Sequence, residues 1–222
     1  MKRDLAIYDM DQTITRVPTY TPFLIHVASR RSPWRLVFLP LVGASLLAYG
    51  LKLVDRARLK EINHRLLIGH TVSTGSLSPY LDSFAERVMR SNLRPGAREA
   101  IEADRAEGRM LVMATASYRF YSRRIGERLG FDHVIGTDHV EGADGAVCAV
   151  IAGENCYAAA KRQMVDAWIE EAGIVPGHLR FYSDHHSDGP MFDLADEPVA
   201  VNPDEKLAAM ARANGWRVED WG

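Results

Sequence analysis

The apolar run Leu5-Ala6-Ile7-Tyr8 goes directly into Asp9-Met10-Asp11-Gln12-Thr13. A short apolar stretch cut off by charged residues reads as a buried strand. This one would deliver two carboxylates, two residues apart, to the loop at its end. A carboxylate held there can act as a nucleophile and split a hard displacement into two easier steps. Its neighbour can protonate a leaving oxygen and later activate water.

The second half of the chain repeats the strand-then-loop pattern with helices between. Helices are expected over residues 97–107, 118–129, 157–172 and 204–214, with a helical turn at 191–194. Strands are expected over 109–114, 133–136, 179–183 and 198–201. Asp144-Gly145, a favoured tight-turn pair, marks a hairpin within 140–151. Strands alternating with helices predict an α/β fold with a Rossmann-like parallel sheet covered on both faces. Ligands in such sheets sit at the carboxyl ends of the strands. Asp9, Thr115 and Asp184 all fall just past expected strand ends.

Three later segments carry candidate chemistry. In Thr115-Ala116-Ser117, a hydroxyl at a strand end with free backbone N–H groups behind it can meet a phosphate. Read plainly, the same segment is a helix start capped by Ser117. Lys161 lies near the start of an expected helix, where a lone lysine is ordinarily solvent-facing. Asp184 and Asp188, in Ser183-Asp184-His185-His186-Ser187-Asp188, are hard oxygen ligands suited to Mg²⁺. His185 and His186 read as loop residues, since Mg²⁺ prefers oxygen. Cys148 and Cys156 are too few for a disulfide framework, and no ligand spacing points to zinc. Met1-Lys2-Arg3-Asp4 leads straight into the first strand, so a cytoplasmic protein without a signal peptide is expected.

Together the four segments resemble the haloacid dehalogenase-like phosphohydrolases, in the branch that includes phosphoserine phosphatases. The resemblance covers residues 1–15 and 95–222. It implies that Asp9 attacks phosphorus to form an aspartyl-phosphate while Asp11 serves as general acid and base. It further implies that Thr115 and Ala116 bind the phosphoryl group and that Lys161 neutralises charge. Mg²⁺ would be held by Asp9, the backbone carbonyl of Asp11, Asp184 and Asp188. Gln12 stands where the family often has glycine, and His185 where serine or glycine is common. Asp11 favours a phosphate ester over the substrates of dehalogenating or phosphonate-cleaving members. A phosphomutase and a catalytically silent binding protein remain as rivals.

Residues 16–94 fall where this family inserts a helical cap after the first strand, giving a core of 1–15 and 95–222. Residues 16–60 hold Arg16, Arg30, Arg31, Arg35, Lys52, Arg56, Arg58 and Lys60 against Asp55 alone. No charge occurs over residues 36–51. The cap resembles that of bacterial phosphatidylglycerophosphate phosphatases. Both ends of the insert must return to one sheet, so a single membrane crossing is excluded. Two readings of the apolar stretch stand: a helix in the plane of an anionic bilayer surface, with Lys and Arg contributing roughly 1 kcal/mol each, or a helix buried in the cap or in a dimer contact. The expected substrate is a phosphorylated lipid headgroup at the inner face of the membrane, or else a soluble phosphorylated small molecule of the phosphoserine type. Nucleic acid is excluded as a partner, because the basic segment lacks aromatics interleaved on a polar surface. Oligomeric state is not legible.

Overall fold

The computed structural model describes residues 2–222. Strand β1 (Lys2–Tyr8) is followed by α1 (Tyr20–Arg31), α2 (Leu39–Gly50), α3 (Arg56–Leu67), a short strand β2 (Thr71–Val72) and α4 (Thr74–Ser91). After α5 (Pro95–Ala106) come β3 (Met110–Tyr118), α6 (Arg119–Leu129), β4 (His133–Glu141), β5 (Val147–Ala152) and α7 (Ala159–Glu171). The chain closes with β6 (Val175–Ser183), α8 (Gly189–Phe192), β7 (Glu197–Val201), α9 (Glu205–Asn214) and β8 (Arg217–Glu219).

The strands form one sheet in the order β2-β5-β4-β3-β1-β6-β7-β8. Pairings from β4 through β8 are parallel, and β5 runs antiparallel to both β4 and β2. The α/β fold with a Rossmann-like parallel sheet is as expected. Strand β1 is central because every residue from Leu5 to Tyr8 is buried. Leu5 and Ile7 face one core with Val112 and Phe181; Ala6 and Tyr8 face the other with Leu111 and Met113. A strand covered on both sides reads as a continuous apolar run, which is why no alternation shows in its sequence. The chain leaves β1 toward β3 and β4, then returns on the other side through β6. Such a reversal opens a crevice at the carboxyl ends of the strands beside it.

The excursion between β1 and α5 leaves and re-enters at one point. Thr15 bridges Leu93, the Arg16 amide donates to the Asn92 carbonyl at 2.8 Å, and the Arg94 amide donates to that of Ile14 at 3.0 Å. Only a short extended segment separates α3 from α4. Thr71–Val72 pairs with β5, and α4 already begins at Thr74. Strand β8 carries no periodicity of its own and was not anticipated. Residues 33–51 fold as a tight helical turn, Pro33–Phe38, running into α2. One side of α2 rests on α3 through Val42 and through Ser45, whose hydroxyl donates to Asn63 Oδ1 at 2.6 Å. The other side is bare.

Candidate active site

Beyond β1 the chain makes a wide turn over Met10–Ile14, closed by the Thr15 amide donating to the Met10 carbonyl at 3.0 Å. Gln12 sits inside it with φ +68° and ψ −9°. A non-glycine residue in this region carries strain of order 1–3 kcal/mol that its surroundings must offset. Here Arg94 Nε donates to the Gln12 carbonyl at 3.1 Å and Gln12 Nε2 donates to Asp184 Oδ2 at 3.3 Å. Glycine adopts this left-handed conformation without strain, and Gln12 is held in it by hydrogen bonds.

The turn sets Asp9 against three other elements. Lys161, in the first turn of α7, donates through Nζ to Asp9 Oδ1 at 2.8 Å and to Asp188 Oδ2 at 2.6 Å. Ser183, the last residue of β6, donates its hydroxyl to the same Asp188 oxygen at 2.7 Å. The Thr13 hydroxyl donates to Asp184 Oδ1 at 2.8 Å. Three carboxylates and one ammonium are therefore buried together. Burial pushes the Asp9 carboxyl up to about 7, with Asp188 and Asp184 adding to the effect and Lys161 opposing it. Asp184 is also raised, chiefly by burial. Burial alone would discharge Lys161, but Asp188 and Asp9 outweigh it and hold the ammonium well above its ordinary range.

Asp11 faces the same cavity from the side of α1 and β3. Its Oδ1 accepts from the Thr19 amide and from the Thr19 hydroxyl, both at 2.7 Å, and its Oδ2 accepts from Ser117 Oγ at 2.6 Å. Tyr121 completes the chain by donating to Ser117 Oγ at 2.5 Å. The reading of Ser117 as a helix cap is overturned here. Strand β3 continues through Tyr118, where it pairs with Thr137 after a register shift, and α6 starts at Arg119 without a side-chain cap. Such a bulge re-aims side chains, and it turns Ser117 toward Asp11. Thr115 is buried within β3, its hydroxyl accepting from the Ser117 amide at 3.1 Å; Ala116 and Ser117 reach the cavity wall.

The cavity measures about 340 Å³. Asp9, Asp11, Lys161, Asp184 and Asp188 line its floor, and the insert supplies the opposite wall through Tyr20, Leu46, Tyr49, Arg56, Leu59 and Lys60. Thr19, Tyr121, Arg56 and Lys60 are absent from the sequence-based site. Only Lys60 had a usable signal: Leu59, Lys60, Asn63, His64 and Leu67 form the buried stripe of α3 at helical spacing.

A model of the haloacid dehalogenase-like hydrolases matches residues 6–193. The chain belongs to the haloacid dehalogenase-like hydrolase family. Among its relatives, the phosphoserine phosphatase SerB1 of Mycobacterium tuberculosis is 28% identical over 136 residues, 61% of this chain and 44% of SerB1. The chain thus spans less than half the length of the first curated relatives that it matches. Protein CicA of Caulobacter vibrioides is 32% identical over 194 residues, 87% of this chain and 83% of CicA. A crystal structure of a protein of unknown function from Bordetella pertussis Tohama I superposes over 100% of both chains with a TM-score of 0.87 and 24% identity. At that identity the likeness establishes the fold.

Members of this family generally use Mg²⁺, and the donor set here fits it. Asp9, Asp184 and Asp188 line one cavity with no soft ligand among them, and Asp188 Oδ1 is buried without a hydrogen-bond partner. An orphaned buried carboxylate oxygen is costly unless something cationic reaches it. His185 and His186 follow β6, and His186 opens a short helical turn; among the described residues these two and Asp204 bring their ligand atoms within 4.8 Å of one another, a grouping the loop reading did not foresee. His186 Nδ1 meets Asp204 Oδ2 at 2.5 Å, and His185 Nδ1 meets the Ser187 hydroxyl at 2.9 Å.

Proposed function

We propose that this chain is a Mg²⁺-dependent phosphomonoester hydrolase that works through an aspartyl-phosphate. The observation that carries the proposal is the placement of Lys161 between Asp9 and Asp188, with Asp11 two residues beyond Asp9 on the same cavity wall. Asp9 attacks phosphorus, forming an Asp9 O–P bond as the bond to the leaving alcohol breaks. Asp11 gives its proton to the departing oxygen, then takes one from the water whose oxygen attacks phosphorus. That second displacement releases phosphate and restores Asp9. Lys161 opposes the burial that would neutralise Asp9, and the Ala116 amide on the cavity wall holds phosphoryl oxygens, with Thr115 buried behind it in β3. Asp9, Asp184, Asp188 and the Asp11 carbonyl would hold Mg²⁺, which when bound screens carboxylate from phosphate dianion. The bonds from Thr19 and Ser117 keep Asp11 in place through both proton transfers. Asp9→Asn lowers hydrolysis of an aryl phosphate in Mg²⁺ buffer to background; equal activity in the variant would refute the assigned nucleophile.

The finer part of the proposal concerns the substrate, a phosphorylated lipid headgroup met at an anionic bilayer surface on the cytoplasmic side. Pro33–Gly50 has a mean hydropathy of 1.2 and only 11% of it is buried. Trp34, Val37, Leu41, Leu47, Leu51 and Leu53 are all exposed, beside Arg30, Lys52 and Arg58. Apolar side chains ringed by cations match a surface with anionic headgroups over hydrocarbon. The shared entry and exit of the insert favour a helix lying in the surface plane. A soluble phosphomonoester is the second reading, supported by the name of SerB1. Flotation with liposomes separates the two: binding to vesicles with anionic lipid and not to neutral ones supports the headgroup, and failure to float supports the soluble ester.

A further inference from the structure

The cavity floor holds every carboxylate of the cavity, and the insert faces it with cations alone. Each floor carboxylate already has at least one partner: Asp9 and Asp188 with Lys161, Asp184 with Thr13, and Asp11 with Thr19 and Ser117. On the wall, the Arg56 guanidinium lies 4.3 Å from the centre of the Tyr157 ring. The neighbouring acids do not serve it, because Asp55 accepts from the Arg58 amide and Glu61 pairs with Arg58. Lys60 is buried, and its Nζ donates to the Ala116 carbonyl and to Asn155 Oδ1 at 2.5 Å. Beyond these, Nζ has only the uncharged Thr137 Oγ1, at 3.5 Å, and the Tyr118 ring, 5.6 Å to its centre. Among the described residues, neither Arg56 nor Lys60 has a carboxylate within 4 Å.

Two buried or half-buried cations with no carboxylate in salt-bridge range, facing the proposed phosphate position, leave a place for a further anion. We infer that Arg56 and Lys60 select a phosphomonoester whose leaving group carries a second anion, a carboxylate or a phosphodiester, and reject one that carries an ammonium. This rests on the hydrolase proposal for the position of the phosphate and adds the charge of what is attached to it. An ammonium there would meet Arg56 and Lys60 and find no unengaged acid. An anion would give both cations a partner at ion-pair distance, in a cavity where burial strengthens the pairing. Burial and the nearby Arg56 pull the Lys60 ammonium down to about 7 against the opposing charge of Asp11. Leu46, Tyr49 and Leu59 leave room beside the anion for a short apolar stem.

The test measures binding in the Asp9→Asn protein by calorimetry in Mg²⁺ buffer, with 3-phosphoglycerate, a short-chain phosphatidylglycerol phosphate and phosphoethanolamine as probes. One or both anionic probes should bind at least about tenfold more tightly than phosphoethanolamine, the scale of one desolvated charge pair. Whichever anionic probe binds better tells a soluble carboxylate from a lipid phosphodiester. Adding Arg56→Gln or Lys60→Met should shrink the margin to about threefold or less. Equal affinities, tighter binding of phosphoethanolamine, or a margin intact in both variants would overturn the inference; a strap that merely holds α3 on the core would weaken all probes alike. If the binding order holds while the unmutated protein turns over no phosphate ester, the hydrolase proposal fails and the charge selection stands.

Discussion

Lys161 and Lys60 are both buried beside one cavity, 2% and 4% exposed, yet their surroundings hold them in opposite states. Lys161 lies between Asp9 and Asp188 and keeps its proton firmly. Lys60 is ringed by the Ala116 carbonyl, Asn155 Oδ1 and Thr137 Oγ1, all uncharged, and is close to losing its proton at neutral pH. Equal burial therefore does not give equal charge; the partners decide. One lysine belongs to a fixed ionic cluster, and the other is a cation whose charge is completed from outside.

The strongest way to break the comparison is to remove the lysine that has partners. Lys161→Met leaves Asp9 and Asp188 buried without their cation, and loss of one partner of a buried pair costs about 3–5 kcal/mol. Urea unfolding at pH 7 should show that loss, and turnover should fall about 10²–10³-fold, as for removal of one preorganised donor. A smaller change should make Lys60 resemble Lys161. Asn155→Asp puts a carboxylate where Lys60 now meets an amide oxygen. In the unmutated protein, preference for anionic esters should decline as pH rises through about 7, when Lys60 discharges. Arg56 promotes that discharge, while Asp11 and Cys156 oppose it. The aspartate should move the decline toward the ordinary lysine range near about 10.4 and lower the preference about tenfold by competing with the substrate anion. Profiles of kcat/KM against pH for paired esters read both effects.

The smallest effect sharpens the contrast through stability. Lys60 binds its proton more weakly folded than unfolded, so between about 7 and about 10.4 the unfolded chain holds a proton that the folded chain lacks. Stability from this site therefore rises with pH across that window and is lowest below it. Lys60→Met removes the dependence. Relative to the unmutated protein, its Tm should be higher at pH 6 than at pH 9, and a difference of the opposite sign would place Lys60 in a charged cage after all.

Much of the fold was legible because strand ends coincide with chemistry. The run Leu5-Ala6-Ile7-Tyr8 had to be buried on both faces, and β1 indeed lies in the middle of the sheet. Asp9, Asp184 and Asp188 could be named from local context, whereas Lys161 came from the family resemblance, and nothing local says that it reaches Asp188. Ser117 was misread because a bulge, set by where Tyr118 finds Thr137, leaves no trace in nearby residues. Lys60 was counted among surface charges in a basic segment. Its place on the Leu59, Asn63 and Leu67 stripe was visible, but only the fold reveals that this stripe meets Ala116 and Asn155.

Leu46 and Tyr49 share the stripe of α2 that carries Val42 and Ser45, yet both are largely exposed and also reach the cavity. The same two side chains thus have one edge in the surroundings and one in the chamber. Whatever medium touches α2, water or acyl chain, becomes part of the doorway through which a substrate is admitted.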